Sequence, residues 1–155
     1  MTPRNLALLA AGGSLALLAG AFVFQALGYA PCKMCIWQRW PHGIAIGFGA
    51  LAAAVAPLIL WTLGGALAAL TTAGIGVYHV GVEQKWWEGP SSCTGGGQGL
   101  QGLSGADLLS TEGVANIVMC DEIAWSLAGI SMAGWNAIFS FGLALIWFAA
   151  FRAAR

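Results

Sequence analysis

The sequence predicts an all-α membrane protein, a four-transmembrane-helix bundle with one long polar loop between helices 3 and 4. Scarce charge, its segregation along the chain and unbroken apolar runs carry that prediction. Charged residues are 8% of the 155-residue chain, apolar residues 59%, and the mean hydropathy is +0.78. A soluble domain carries about 25% charge. No charge at all falls in 5–32, 40–82 or 123–151.

Crossing a hydrocarbon core about 30 Å thick takes about 20 apolar residues in a helix. The first and last uncharged stretches therefore fit one crossing each. The middle one, 43 residues long, would make a straight helix of about 65 Å. It has to turn back, and the segment from Pro57 to the Gly64-Gly65 pair supplies the breakers. The expected spans are 5–27, 40–58, 64–82 and 126–151, in one domain covering 1–155, with loops at 28–39 and 83–125. The segments lack the alternation of a lipid-facing barrel. Backbone in lipid must then be satisfied within each segment, which leaves helices.

The first segment also has features of a secretory signal, because Arg4 precedes a long apolar run. Tyr29-Ala30-Pro31-Cys32 faintly resembles a lipoprotein cleavage site. Proline directly before the cysteine argues against cleavage, the run exceeds a normal signal core, and a retained helix is expected. The 23 glycines suit close helix contact in lipid. Gly43-Ile44-Ala45-Ile46-Gly47 is one small-xxx-small match, and no function is attached to it.

Four spans put both termini on one side and both loops on the other. Basic residues do not choose between the two orientations, since Arg4, Arg152 and Arg155 balance Lys33, Arg39 and Lys85. Acids count for little in that rule, although six of them against Lys85 alone make 83–122 net −5. The cysteines break the tie. Cys32, Cys35, Cys93 and Cys120 all fall in the loops, and disulfide chemistry belongs on the oxidising side, in a bacterium the periplasm. Cytoplasmic termini and periplasmic loops are the consistent choice. Trp37, Trp40, Trp86, Trp87 and Trp125 then fall at the outer edge and Trp61 and Trp147 near the inner one, as in interfacial belts.

Cys32-Lys33-Met34-Cys35 places two thiols within ring-closing distance, with cations at Lys33 and Arg39 to favour a thiolate. If the stretch from Cys35 is helical, Cys35, Arg39 and His42 or Gly43 share a face. Pro41 is most at home in a first helical turn and disfavours helix at Trp40, so the cysteines are also compatible with a position just before the second helix. Arg39, charged at any relevant pH, suits an anionic or carbonyl group of a lipid-soluble ligand. It equally suits a plain interfacial role. Redox catalysis, structural disulfides and a bound metal all remain open for the four cysteines. Against zinc, the second pair is 27 residues apart instead of in a knuckle. Against a purely structural role, a Cys32–Cys35 bond closes too small a ring to stabilise much.

His79, near the outer end of the third helix, is a candidate for proton transfer or an ordinary buried histidine. His42 is equally compatible with an interfacial position. Gln38 and Tyr78 carry no independent signal. Residues 100–112 have the pattern of a short amphipathic piece, and Gly95-Gly96-Gly97 reads as flexible linker, not as a phosphate loop.

Pro31-Cys32-Lys33-Met34-Cys35-Ile36-Trp37-Gln38-Arg39 resembles the Cys-x-x-Cys-x-x-x-Arg signature of the DsbB family of bacterial inner membranes. Cys120, Trp125, Leu127, Gly129, Met132 and Trp135 resemble that family's entry to its fourth helix, and His79 stands at its third-helix histidine position. The resemblance covers nearly the whole chain. It implies an inner-membrane protein-dithiol:quinone oxidoreductase that reoxidises a periplasmic DsbA-type thioredoxin-fold oxidase. The relay from DsbA through DsbB to quinone is the known route by which bacteria keep the periplasm oxidising.

On that resemblance, Cys93 would exchange with the partner's cysteine. Cys120 would complete the loop disulfide and exchange with Cys32. Cys35 would face the quinone, ubiquinone or menaquinone, with Arg39 and His79 as further binding residues. No metal and no nucleic-acid partner are expected. Gln38 stands where some relatives carry an acid, so no carboxylate at that position serves as a proton partner. The vitamin K epoxide reductase family has the quinone-proximal Cys-x-x-Cys after its loop pair, and the order here is the reverse. The remaining alternative is a non-enzymatic four-helix membrane protein with structural disulfides or a metal.

Overall fold

The structure, a computed structural model, describes residues 1–90, 93 and 119–155. Among the described residues there are four helices: α1 (Pro3–Ala26), α2 (Lys33–Ala54), α3 (Leu58–Glu83) and α4 (Met132–Ala153). A two-stranded ribbon, β1 (Ser126–Leu127) and β2 (Ile130–Ser131), leads into α4. The 100–112 segment and the Gly95-Gly96-Gly97 run lie outside the described residues.

Local chemistry explains each boundary. Thr2 caps α1 by accepting from the Asn5 N–H at 3.3 Å, with Pro3 at the first helical position, where a missing N–H costs nothing. Cys32 caps α2, its sulfur accepting from the Cys35 N–H at 3.2 Å. That cap starts the helix seven residues before the expected position 40, and Pro41 lies inside it. A proline there gives up one backbone bond, to the Trp37 carbonyl, a loss that packed helices tolerate. Pro57 ends the short connector, so α3 also begins six residues before the expected position 64. Ser131 caps α4, accepting from the Gly134 N–H at 3.2 Å.

The fourth helix begins six residues later than expected, because 126–131 form the ribbon. Ser126 pairs with Ser131 and Leu127 with Ile130. The connecting residues Ala128 and Gly129 have φ of +53° and +79°, the doubly left-handed geometry of a two-residue hairpin turn. Trp135 holds the ribbon down by donating its indole N–H to the Leu127 carbonyl at 3.2 Å.

The helices pack in a ring: α1 against α2 and α4, α3 against α2 and α4. The centre is built from small residues, with Ala7, Ala10, Ala11, Ala52, Ala66, Ala69, Ala144 and Ala150 around Trp147. Large apolar side chains such as Leu8, Leu15, Phe22, Leu60, Leu67, Phe141 and Phe148 point outward. Small residues inside and large apolar ones outside is the distribution expected of helices that contact each other closely in lipid.

Three details depart from the sequence reading. Gly43 and Gly47 face outward with nothing near them, while Gly49, one turn on from Ala45, carries the contact to Ala11. Trp147 is 0% exposed, a core residue and not an interfacial one. Gly64 and Gly65 are not helix breakers; they make room inside α3 for Phe48 and Trp147. A methyl group at Gly65 would stand 2.5 Å from the Trp147 ring. Gly65→Ala is therefore expected to destabilise the bundle by about 1–3 kcal/mol through overpacking, read as a lower unfolding temperature in detergent. Gly20→Ala, with open space around the new methyl, is the control.

Helices α1, α3 and α4 are long and apolar enough to cross a membrane. Helix α2 has 22 residues, about 33 Å, but its first half carries Gln38, Arg39, Pro41 and His42. Gln38 and His42 are buried in the bundle, and Arg39 is half-buried against α1.

Candidate active site

The start of α2 sets the geometry. With Cys32 at the cap and Cys35 in the first turn, the two sulfurs stand 2.8 Å apart, Cys32 donating to Cys35. The bond it donates to Cys35, together with burial, pushes the Cys32 thiol well above its ordinary range. Cys32 is thus the sulfur that keeps its proton, and Cys35 is the one that bears charge when the pair ionises.

Cys93 and Cys120 form a disulfide, with α-carbons 5.2 Å apart. Both are buried, and they pack with Cys32, Met34 and Val82 in one cluster that Cys35 also touches. All four sequence-predicted cysteines are therefore brought together, one pair as thiols and one as a disulfide.

Cys32, Cys35 and His79 are also the group among the described residues whose donor atoms converge, within 4.8 Å of one another. Two thiolates on a tetrahedral zinc, with Zn–S of about 2.3 Å, sit roughly 3.8 Å apart. The observed 2.8 Å is shorter than that spacing, so the two sulfurs would have to move apart to chelate a zinc.

Behind the sulfurs lies a buried polar chain linking α2, α3 and α4. Asn136 donates to Gln38 Oε1 at 2.7 Å and to Thr72 Oγ1 at 3.2 Å. Gln38 Nε2 lies 2.9 Å from His79 Nδ1 and 3.3 Å from the Met34 carbonyl. With its oxygen engaged by Asn136, Gln38 is the donor to His79. The hydrogen of the neutral His79 ring then sits on Nε2, which lies 3.6 Å from Cys32 Sγ and 3.9 Å from Glu83 Oε1. His79 thus presents a donor to the Cys32 sulfur. A carboxylate is present after all, delivered by Glu83 at the end of α3 instead of by position 38.

The sequence reading missed Gln38, Asn136, Thr72 and Glu83. For Thr72 and Asn136 the available signal was a polar side chain inside a membrane-length apolar run, which is costly there and tends to be functional; Gln38 and Glu83 flank the 40–82 run. Gln38→Leu would orphan His79 Nδ1 and leave the Asn136 amide with Thr72 as its acceptor. At about 1–3 kcal/mol for a buried polar group left unpaired, thermal unfolding in detergent is expected to shift down by several degrees.

A cavity of about 400 Å³ opens beside Cys35, between α1, α2 and α4. Its walls are mostly apolar, including Leu17, Phe24, Trp125, Trp135 and Phe139, with Cys35, Arg39, His42 and His79 among the polar groups. Arg39 is held at its edge by donating to Gln25 Oε1 at 2.7 Å and the Ala21 carbonyl at 3.4 Å, with the guanidinium 4.9 Å from the Phe22 ring. Its Nε is buried without a partner among the described residues. Cys35 and Arg39 share the cavity wall one helical turn apart, as the i, i+4 spacing predicts. The cavity is of the size and character that holds a small, flat, mostly apolar ligand with few polar anchors.

The model of the family Disulfide bond formation protein DsbB matches residues 3–150. The chain belongs to the DsbB family. It is 36% identical over 143 residues to Disulfide bond formation protein B of Verminephrobacter eiseniae, covering 87% of this chain and 78% of that one. It is 31% identical to the Acidovorax sp. protein of that name, covering 86% and 79% of the two chains. For the Albidiferax ferrireducens protein the figures are 30%, 94% and 88%. No solved structure matches the chain. DsbB family membership agrees with the four-helix arrangement and with the multi-pass membrane character of the apolar helices.

Proposed function

We propose that this protein is a dithiol:quinone oxidoreductase of the bacterial inner membrane, making disulfides by moving electrons from a periplasmic DsbA-type protein to the quinone pool. Membership of the DsbB family supports the role in disulfide bond formation. The observation that carries the finer reading is the contact of the Cys93–Cys120 disulfide with the Cys32/Cys35 dithiol at the edge of an apolar cavity. In this reading all four helices span the membrane, the termini are cytoplasmic, and the 28–39 and 83–125 loops are periplasmic.

The steps balance as exchanges of electron pairs. A reduced partner attacks the Cys93–Cys120 disulfide through Cys93 and leaves oxidised, with Cys93 and Cys120 now thiols. Cys120 attacks the Cys32–Cys35 disulfide at Cys32, which expels Cys35 and forms a Cys32–Cys120 bond; Cys93 then attacks Cys120, which closes Cys93–Cys120 and releases Cys32. His79 donates toward Cys32, which favours that sulfur as a leaving group. Cys35, hydrogen-bonded by Cys32, is the electron-rich sulfur toward the cavity, and Arg39 compensates negative charge there. Quinone accepts two electrons and two protons from the dithiol and becomes quinol. A quinone is needed because a thiol pool cannot drain a strong oxidant; each 30 mV between two-electron couples is about 1.4 kcal/mol.

The test is quinol formation by the detergent-purified chain given a reduced DsbA-type partner under anaerobic conditions. Turnover that disappears in Cys93→Ser is expected. Folded protein inactive with both ubiquinone and menaquinone would overturn the reading and favour structural disulfides.

A further inference from the structure

Helix α2 carries a further polar residue on the cavity wall, one turn beyond Arg39. Cys35, Arg39 and His42 all line the cavity, at i, i+4 and i+7 on one helix face. The stripe runs about 10 Å along the axis, so His42 marks its deep end. His42 is 3% exposed.

The surroundings of its ring fix where the hydrogen is. Nε2 lies 2.9 Å from Asn136 Oδ1 and 3.4 Å from Thr72 Oγ1. The Asn136 amide nitrogen already faces two oxygens, Gln38 Oε1 and Thr72 Oγ1, so the atom turned to His42 is the carbonyl oxygen, which only accepts. Ser140 Oγ donates to the same oxygen at 3.4 Å. The hydrogen of the neutral His42 ring is therefore on Nε2, and Nδ1 holds a bare lone pair. That Nδ1 is buried and has no partner among the described residues. Buried polar atoms are rarely left unsatisfied, and a molecule in the cavity that His42 lines is the available source of a donor.

We propose that His42, oriented by Asn136, accepts a hydrogen bond at Nδ1 from a ring hydroxyl of quinol, so that the cavity binds the reduced ring in preference to the oxidised one. This rests on the quinone reading above and adds to it a binding residue and a redox preference. A quinone presents two carbonyl oxygens and no hydrogen, so it gains nothing from Nδ1; a quinol presents two hydroxyls. The electron count is unchanged. The dithiol supplies both electrons and both protons, and His42 meets the hydroxyl only after its proton has arrived. By linkage, a site that favours quinol by some factor makes the bound quinone a better oxidant by that same factor. That is the direction in which electrons must move.

The test is direct binding, independent of turnover. A short-tailed ubiquinone and its quinol are titrated anaerobically into full-length Cys32→Ala/Cys35→Ala protein, which passes no electrons to the ring. Quenching of tryptophan fluorescence reports binding, since Trp125 and Trp135 line the cavity. Adding His42→Leu is expected to weaken quinol binding about 2- to 10-fold, the range of one hydrogen bond, and to leave quinone binding unchanged. Asn136→Leu, which frees the ring to carry its hydrogen on Nδ1, is expected to move the preference toward quinone.

Equal loss of both forms in both variants, or no change in either, overturns the proposal while leaving the quinone reading intact. If neither form binds when His42 and Asn136 are present, the quinone reading falls, and this proposal with it.

Discussion

Cys35→Ser is expected to lower quinol formation on the order of 10³-fold or more, as removal of an essential reacting group does, while the Cys93–Cys120 disulfide stays intact. Cys35 is the sulfur on the cavity wall, and it receives the Cys32 hydrogen bond at 2.8 Å. A serine hydroxyl keeps the shape and hydrogen bonding but carries no electrons to give. The measurement is anaerobic quinol formation driven by a small dithiol, with disulfide mapping by mass spectrometry of the same protein before the dithiol is added. Cys93→Ser and Cys120→Ser should retain activity with the small dithiol, because it reduces the Cys32–Cys35 bond directly, and lose it with the protein partner. Cys35→Ser should fail with both. Such a split separates a relay from a set of structural bridges, in which every cysteine variant would be impaired through folding alone.

Arg39→Met is expected to weaken quinone use about 10- to 150-fold, the range of one hydrogen bond to a charged group at about 1.5–3 kcal/mol. The loss should appear mainly in KM. Arg39 has two jobs to separate, since its Nη atoms reach back to Gln25 and Ala21 on α1. Gln25→Leu removes the first contact and keeps the charge, and it is expected to cost only a few fold. Arg39→Lys keeps the charge and loses the planar fork, so an intermediate effect is expected. Equal losses in Gln25→Leu and Arg39→Met would mean that Arg39 only staples α1 to α2.

The two kinds of information in the sequence had different reach. Helix number and the location of the cysteine loops follow from where charge is absent, a property of single residues. Boundaries depended on caps and turns. Cys32 was visible as a thiol but not as the cap that starts α2 ahead of Pro41, and Ala128-Gly129 gave little sign of a hairpin because alanine rarely takes positive φ. The dithiol and Arg39 were legible because their spacing is local.

The hydrogen-bonded chain behind them was not. Gln38 and Asn136 are 98 residues apart, and His42 and Asn136 are 94 apart. Only the register between α2 and α4 brings these pairs together, and no spacing rule within one helix encodes that register. Trp147 failed for a similar reason: its position near a helix end suggested an interface, but Gly65 on α3 opens a core site for its ring.

The central claim is that electrons held by both cysteine pairs leave through Cys32 and Cys35 to quinone. Counting quinol produced by fully reduced protein, without any external reductant, tests it most directly. Two dithiols per chain, Cys93 with Cys120 and Cys32 with Cys35, each hold one electron pair. The wild-type chain should therefore yield two quinols, Cys93→Ser/Cys120→Ser one, and Cys32→Ser/Cys35→Ser none. Quinol formed by the variant lacking Cys32 and Cys35, or only one per wild-type chain, would contradict the relay.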